Sequence, residues 1–163
     1  MRQKEGCALD EIDRTLLRLL LEDSAATSTE LSKQVNLSIP AVNKRIARLR
    51  QSGVIERFTV QVNAEKVGKS VQAFVLVVVS RYAKSEELLR SVQADPDILD
   101  CYAVTGEYDY LLRICAKDIS DLEEKLLRLK ENECVAKSHT LFNLMTHKHI
   151  SGPLPEQIKE IPL

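Results

Sequence analysis

The hydrophobic positions in the first third of the chain follow helical spacing. Apolar side chains recur every three or four residues at Ile12, Leu16, Leu19 and Leu20. Asp10 stands just before this stripe as a favourable N-cap, and its negative charge suits the positive end of the helix dipole. The pattern predicts a first helix that ends within residues 22–24.

Two more helices are predicted, separated by a short turn. Thr27 and Glu30 have the spacing of a capping box, and the helix that they open ends at Asn36, a residue that tolerates left-handed geometry. Ser38 is the expected N-cap of the third helix, which carries Pro40 in its first turn. Three helices with a turn of only a few residues between the last two predict a helix-turn-helix.

The third helix has an apolar face and a polar face. Val42, Ile46 and Leu49 form the predicted buried stripe. The other side is rich in cations, amides and small side chains: Pro40, Asn43, Lys44, Ala47, Arg48 and Gln51. Between residues 44 and 57, five basic residues stand against one acidic residue, in a chain whose net charge is −1. A basic exposed helix is the electrostatic footprint of a DNA-binding element, although a solvated helix face gives the same pattern.

Residues 54–62 alternate apolar and polar side chains as a pair of strands does. This segment is interpreted as the wing of a winged helix-turn-helix, so residues 1–63 form the predicted DNA-binding domain. Residues 64–70, which include Gly68, are expected to be a linker between this domain and the next.

The second half of the chain changes to a pattern of strands and helices. Strands are predicted at 72–81, 98–105, 109–116 and 135–145, and helices at 85–94 and 120–132. The second of these helices opens with Ser120 and Glu123 at capping-box spacing. The order β-α-β-β-α-β is that of a ferredoxin-like domain with an antiparallel sheet. The predicted fold class is therefore α+β, with a second domain over residues 71–150 and a tail over residues 151–163.

Both faces of the first strand of this second domain are apolar. Residues 73–79 are all hydrophobic, so Phe74 and Leu76 face one side while Val75 and Val77 face the other. Two helices cover one face of such a sheet, and we expect a second copy of the chain to cover the other.

The apolar run at residues 73–79 is also far shorter than the roughly 20 residues that span a bilayer. No membrane segment or signal peptide is predicted, and the expected location is the cytoplasm.

Cysteine and histidine positions predict neither a metal site nor catalysis. Four widely spaced cysteines, with no CxxC motif, are expected to be reduced thiols: Cys7, Cys101, Cys115 and Cys134. A nucleophilic pair can be drawn from Cys101 or Cys134 with His139, but no local motif surrounds them. His147 and His149 make at most a weak metal site. We expect no catalytic residue, no metal and no cofactor.

Three stretches carry a resemblance to a known family: LDEIDRTLLRLLLEDS at 9–24, TELSKQVNLSIPAVNKRIARLRQSGVI at 29–55 and TGEYDYLL at 105–112. Over residues 8–150 the chain resembles the leucine-responsive regulatory protein/asparagine-regulator (Lrp/AsnC) family of transcription factors. The resemblance implies a homodimer formed by the C-terminal sheets, assembled further into tetramers or octamers, that binds pseudo-palindromic double-stranded DNA. It also implies an amino acid or related small metabolite as effector, bound in a cleft near the loop 106–109.

Two candidate sites follow. The third helix is expected to contact DNA through Ser38, Pro40, Asn43, Lys44, Arg45 and Arg48. An amino acid needs a carboxylate for its ammonium group and free backbone amides for its own carboxylate, and the loop 106–109 can supply both. The expected effector residues are Gly106, Glu107, Tyr108, Asp109 and Thr140. Ordinary hairpin-turn chemistry also explains the glycine and the aspartate of this loop.

Two other hypotheses also predict a DNA-binding protein but assign it a different biological role. One is an architectural DNA-binding protein that responds to no effector. The other is a metal-sensing winged-helix repressor, which is disfavoured because the sequence does not cluster His, Cys and carboxylate side chains. The preferred hypothesis is a sequence-specific transcriptional regulator that responds to an amino acid or a related metabolite.

Overall fold

A computed structural model describes residues 9–80, 85–150 and 152–154. The elements in chain order are α1 (Glu11–Glu22), α2 (Ser28–Val35), α3 (Ile39–Gln51), β1 (Val71–Val79), α4 (Ser85–Ala94), β2 (Ile98–Ala103), β3 (Tyr110–Ala116), α5 (Ile119–Glu131) and β4 (Val135–Phe142), with a short 3₁₀ turn at Glu65–Val67. They divide into two compact units. One holds the described residues up to Gln61 and from Lys148 onwards, and the other is Val62–His147.

Local sequence fixes the ends of the three helices in the first unit. The Asp10 side chain accepts a hydrogen bond from Asp13 N at 2.8 Å and caps α1. Thr27 and Glu30 form the predicted capping box at the start of α2, and Asn36 ends that helix in the left-handed region with φ 52°. The helices meet in a core of buried side chains, one from each: Leu16, Leu31 and Val42.

The strand pair expected over residues 54–62 is not formed. No strand lies between α3 and β1 in the described part of the chain. Ile55 N donates to Leu49 O at the end of α3, and the apolar side chains of Phe58, Val60 and Val62 beyond it are exposed. The alternation in this segment fits a strand, but a two-stranded ribbon also needs a tight turn. Residues 54–62 contain no Gly, Pro, Asn or Asp to make one.

The second unit is built on one antiparallel sheet with the strand order β2-β3-β1-β4. The predicted β-α-β-β-α-β order and the pairing of β2 with β3 are confirmed. α4 and α5 pack on one face, where Val75 and Val77 are fully buried in a core with Leu88 and Leu122. The other face of β1 is only half-buried, as the burial of its alternate residues shows.

The helix α5 begins earlier than its sequence predicts. Its N-cap is Asp118, whose side chain accepts a hydrogen bond from Asp121 N at 2.9 Å. Asp121 Oδ2 in turn accepts from Lys117 N at 2.8 Å. These two aspartates already satisfy free amides at the helix start, so Ser120 lies inside the first turn and does not cap it. The predicted capping box of Ser120 with Glu123 is wrong.

Three strands of the sheet, β4, β2 and β1, end earlier than their sequences predict. β4 stops at Phe142, three residues before the expected boundary. Asn143 N still donates to Gln72 O at 2.9 Å, and only Val71 of β1 lies beyond Gln72, so little of the partner strand remains for the predicted extension to residue 145. β2 stops at Ala103, where the chain turns into the loop before β3. β1 stops at Val79, so its predicted extension through Ser80 is wrong, and the predicted last residue, 81, lies outside the described residues.

Candidate DNA-binding and effector sites

The turn between α2 and α3 presents the start of α3 to solvent. Leu37 N donates to Ser32 O at 3.0 Å, which closes the turn after the left-handed Asn36. The Ser38 hydroxyl accepts from Ala41 N at 3.4 Å and caps α3. Pro40 lies exposed in the first helical turn, where its missing N–H leaves no bond unmade.

The two predicted faces of α3 are confirmed. Val42 and Leu49 are buried, and Ile46 packs against the core of the first unit. The opposite face is exposed along its whole length at Pro40, Lys44, Ala47 and Gln51. The small side chains on this face leave room for α3 to approach a groove, and Lys44 forms no ion pair with any carboxylate in the described residues.

The two arginines beside Lys44 are held by carboxylates of α1. Arg45 Nη1 lies 2.6 Å from Asp10 Oδ2 and 2.9 Å from Asp13 Oδ1. Arg48 Nη2 contacts the other oxygen of Asp13. Hydrogen bonds to Asp10 and then to Asp13 raise the pKa of the Arg45 guanidinium above its ordinary value. Two cations of the predicted DNA-binding set are therefore already paired within the unit.

Asn43 is also held from within the unit. Its Oδ1 accepts a hydrogen bond from the Ser28 hydroxyl at 2.6 Å, which ties α3 to the first turn of α2. This bond leaves the amide NH₂ of Asn43 free to donate outwards. Sequence reasoning missed both Ser28 and Asp13 as parts of the site. For Asp13 the signal was present, because a carboxylate one turn before Leu16 on the apolar stripe of α1 needs a partner.

The predicted effector loop connects β2 to β3 and is fixed by three hydrogen bonds at Asp109. Asp109 N donates to Val77 O at 2.9 Å, and Asp109 O accepts from Val104 N at 2.9 Å. Its side-chain Oδ2 accepts from Val79 N at 2.8 Å. Gly106 has φ 113°, which L side chains rarely adopt, and no atom lies within 4 Å of where its Cβ would stand. Glu107 is exposed at the tip of the loop.

Tyr108 lies against two side chains of β4. Its ring centroid is 6.5 Å from that of His139, and Lys137 Nζ lies 5.7 Å above the Tyr108 ring. Thr140 is not part of this group. It pairs with the core residue Val75, so its side chain lies on the helix-covered face of the sheet, opposite to His139. The structure thus brings Lys137 and His139, rather than Thr140, to the loop.

The sheet face away from the helices is apolar and open. Paired residues of four strands share it: Phe74, Leu76, Val78, Tyr102, Leu111 and Leu141. Tyr102 is 54% exposed and Leu141 is 47% exposed. An ion pair between Arg113 and Asp100 crosses from β3 to β2 on the same face. Contiguous exposed apolar side chains on one face of a sheet are typical of an interaction surface.

The cysteine and histidine combinations weighed from sequence are not brought together. Cys101 pairs with Leu112 on the helix-covered face, whereas His139 pairs with Leu76 on the open face. Cys134 is buried at the start of β4. Within the described ranges no three His, Cys, Asp or Glu side chains are grouped as metal ligands. The helices of these ranges are too short or too polar to cross a membrane.

Two family models match the chain. Residues 9–56 match a winged helix-turn-helix DNA-binding domain, and residues 72–152 match the Lrp/AsnC ligand-binding domain. The chain is similar to the HTH-type transcriptional regulator FL11 of Pyrococcus horikoshii, with 36% identity over 140 residues that cover 86% of this chain and 92% of the relative.

Solved structures agree with this assignment. A transcriptional regulator from Neisseria meningitidis, in complex with L-Met, has a TM-score of 0.85 and 30% identity, and the match covers 88% of this chain and 95% of that chain. The feast or famine regulatory protein from M. tuberculosis, complexed with L-methionine, has a TM-score of 0.81 and 30% identity, covering 91% and 100%. The motifs at residues 9–24, 29–55 and 105–112 predict the same relationship, and the chain belongs to the Lrp/AsnC family of DNA-binding transcriptional regulators.

Proposed function

We propose that the protein binds pseudo-palindromic DNA through the exposed face of α3 from two protomers. We further propose that an amino acid or a close analogue, bound beside the loop 106–109, changes that binding. The proposed DNA binding is supported by the composition of the exposed face of α3. It combines Lys44, which forms no ion pair in the described part of the chain, with the small side chains of Pro40 and Ala47. The turn after α2 presents the start of this helix to solvent.

Each residue of this face has a chemical role in the proposal. Lys44 contacts a phosphate or a guanine edge, and Asn43 donates from its free amide NH₂ to a base or a phosphate. Ser38 and Pro40 approach the DNA backbone at the first turn of the helix, where free amides and the helix dipole favour phosphate. Arg45 and Arg48 border the same face.

A second copy of the chain is the proposed cover of the open sheet face. A half-buried apolar surface loses its contact with water when the same surface of another protomer packs on it. Two protomers then carry two α3 helices, and a dimer of this kind matches half-sites about 34 Å apart, one helical turn of DNA. The family resemblance extends this to tetramers or octamers, which we propose as further assemblies of the same dimer.

The proposed effector site uses the tip of the loop and its neighbours. Gly106 leaves the backbone open to a ligand carboxylate, while Glu107 and Oδ1 of Asp109 offer negative charge to an ammonium group. Tyr108 adds an aromatic wall, and Thr140 stays a candidate from sequence alone. Two structural relatives bind L-Met, which supports an amino acid as the ligand class here.

An architectural role without an effector is the second candidate. One observation favours it: Asp109 already bonds to Val79 N, so hairpin structure accounts for its presence without any ligand. In either case we propose a non-catalytic protein that acts in the cytoplasm on double-stranded DNA.

Selection of binding sites from a pool of random DNA duplexes tests the proposed DNA recognition. The protein is expected to enrich a sequence with two-fold symmetry and half-site centres about 34 Å apart. Recovery of duplexes with no shared sequence would contradict sequence-specific binding and would favour the architectural role.

A further inference from the structure

Asp13 is a carboxylate of the first unit with 0% exposure. It lies on α1, one turn before the equally buried Leu16. Its oxygens are divided between two guanidinium groups of α3: Arg45 Nη1 lies 2.9 Å from Oδ1, and Arg48 Nη2 contacts Oδ2. A buried carboxylate is tolerated only when it is paired and hydrogen-bonded, and Asp13 has both kinds of partner.

The two arginines are three residues apart on α3, so they project from one side of that helix. Arg45 also reaches Asp10, which caps α1 and lies 2.6 Å from the same Nη1. Arg45 and Arg48 lie at successive turns of α3, and both form ionic contacts with α1. These contacts restrict how far α3 can rotate about its axis. Lys44 directly precedes Arg45, so the direction in which it points is set by this restraint.

The same contacts change the charge that α3 offers to DNA. Arg45 and Arg48 face two negative charges, those of Asp10 and Asp13, and the group of four is neutral. A cation that is already paired releases few counterions when it approaches a phosphate. The number of basic residues on α3 therefore overstates its phosphate contacts.

From these contacts we infer that Asp13 is a positioning residue for DNA recognition. It holds Arg45 and Arg48 on α1, aligns α3 for base readout, and withdraws both guanidinium groups from the phosphates. The inference rests on the proposed docking of α3 in DNA. It assigns the two arginines to the discrimination between sequences, while Lys44 supplies electrostatic affinity.

The test compares the full-length protein with four variants on two duplexes, a selected site and a random sequence, over a series of KCl concentrations. The variants are Lys44→Ala, Arg48→Gln, Arg48→Lys and Asp13→Asn. Lys44→Ala should flatten the plot of log Kd against log[KCl] by about 0.9, the loss of one phosphate contact. Arg48→Gln should leave that slope within about 0.3 of the parent value and lower the ratio of specific to random affinity about tenfold.

Arg48→Lys keeps a cation that can still pair with Asp13, so it should retain more of the specificity ratio than Arg48→Gln does. Asp13→Asn should have the opposite electrostatic effect. It frees the Arg48 guanidinium, while Arg45 keeps its contact with Asp10, so binding to the random duplex should become steeper in salt by about one unit while the specificity ratio falls. A general loss of folding would instead weaken and flatten binding to both duplexes.

Different results overturn different claims. If Arg48→Gln flattens the salt dependence as much as Lys44→Ala does, Arg48 is a phosphate contact and the positioning role is wrong. If Lys44→Ala leaves the slope unchanged, the proposed docking face of α3 is wrong. Circular dichroism checks the fold of each variant. Should Asp13→Asn not fold, the comparison of Arg48→Gln with Arg48→Lys decides the inference, because Arg48 is half exposed.

Discussion

The carboxylate of Asp109 accepts a hydrogen bond from the backbone N–H of Val79 at 2.8 Å. Together with the bonds of the Asp109 backbone to Val77 and Val104, it fixes the loop before β3 to the end of β1. One carboxylate oxygen of Asp109 thus has a structural function, and the other is available for the proposed ligand. Two substitutions separate these functions.

Asp109→Asn keeps an oxygen that accepts from Val79 N but removes the negative charge. We expect this variant to lose its response to the effector while it binds DNA as the parent protein does, because the first unit is unchanged. Asp109→Ala removes the hydrogen bond as well and should also lower the free energy of unfolding by about 1–3 kcal/mol. Calorimetric titration with amino acids measures the first effect. Unchanged ligand binding by Asp109→Asn would place the site elsewhere.

Lys44 is expected to be a direct phosphate or guanine contact. Lys44→Ala should raise the Kd for DNA at low salt, and the effect should shrink as the salt concentration rises, because the lost term is electrostatic. Lys130→Ala is the matched control, since Lys130 is an exposed lysine of α5 in the other unit. Fluorescence anisotropy with a labelled duplex measures both. Equal effects of the two substitutions would mean that only net charge matters.

The open sheet face should hold the protomers together. Leu76→Glu places a charge at the centre of this face, where pairing with a second copy would bury it, so we expect the dimer to dissociate. Leu127→Glu, on an exposed position of α5, is the control and should leave the assembly intact. Light scattering gives the mass of each variant. A Leu76→Glu protein with the parent mass would show that another surface forms the assembly.

Asp97 is the centre of an ion-pair group in the second unit. Lys69 Nζ and Lys125 Nζ each lie 2.7 Å from its Oδ2. The hydrogen bond from Lys125, followed by that from Lys69, holds the pKa of Asp97 below its ordinary value of 3.8. Because the folded-state pKa is lowered, the stabilisation by Asp97 is present above pH 3.8 and is lost as the pH falls through the folded-state value.

Asp97→Asn should therefore lower the free energy of unfolding by about 2 kcal/mol at pH 7, and by progressively less as the solution is made more acid than pH 3.8. Glu87→Gln is the control. Glu87 is an exposed carboxylate of α4 that forms no ion pair in the described structure, so its replacement removes one negative charge and no ion pair. Urea unfolding at several pH values gives both curves. Parallel pH profiles for the parent protein and Asp97→Asn would contradict this role.

Short-range patterns predict most of the fold. The caps at Asp10, Thr27 and Ser38 are local chemistry, and each helix of the first unit starts where its cap indicates. The start of α5 differs for a local reason, because Asp118 caps the helix two residues before Ser120. The other expectations that differ depend on partners distant in sequence. Residues 54–62 alternate as strands do yet pair with no strand among the described residues, and β4 ends two residues short of the point where its partner β1 begins.

The same contrast between local patterns and partners distant in sequence applies to the candidate sites. Periodicity places Lys44 on the exposed face of α3 but does not show that Arg45 and Arg48 pair with α1, more than thirty residues earlier in the chain. Likewise, the motif at residues 105–112 marks the loop, whereas the approach of His139 and Lys137 to Tyr108 depends on the packing of β4 in the sheet. Thr140 was expected there from sequence and lies on the opposite face of that strand.

We propose that a small molecule bound to the second unit changes the affinity of the first unit for DNA. The most direct test is the Kd of the full-length protein for its selected duplex, measured alone and with each common amino acid. We predict that at least one amino acid changes this Kd by about 5- to 150-fold, and that DNA changes the affinity for that amino acid by the same factor. If no amino acid changes the Kd and none binds in calorimetry, the claim is contradicted.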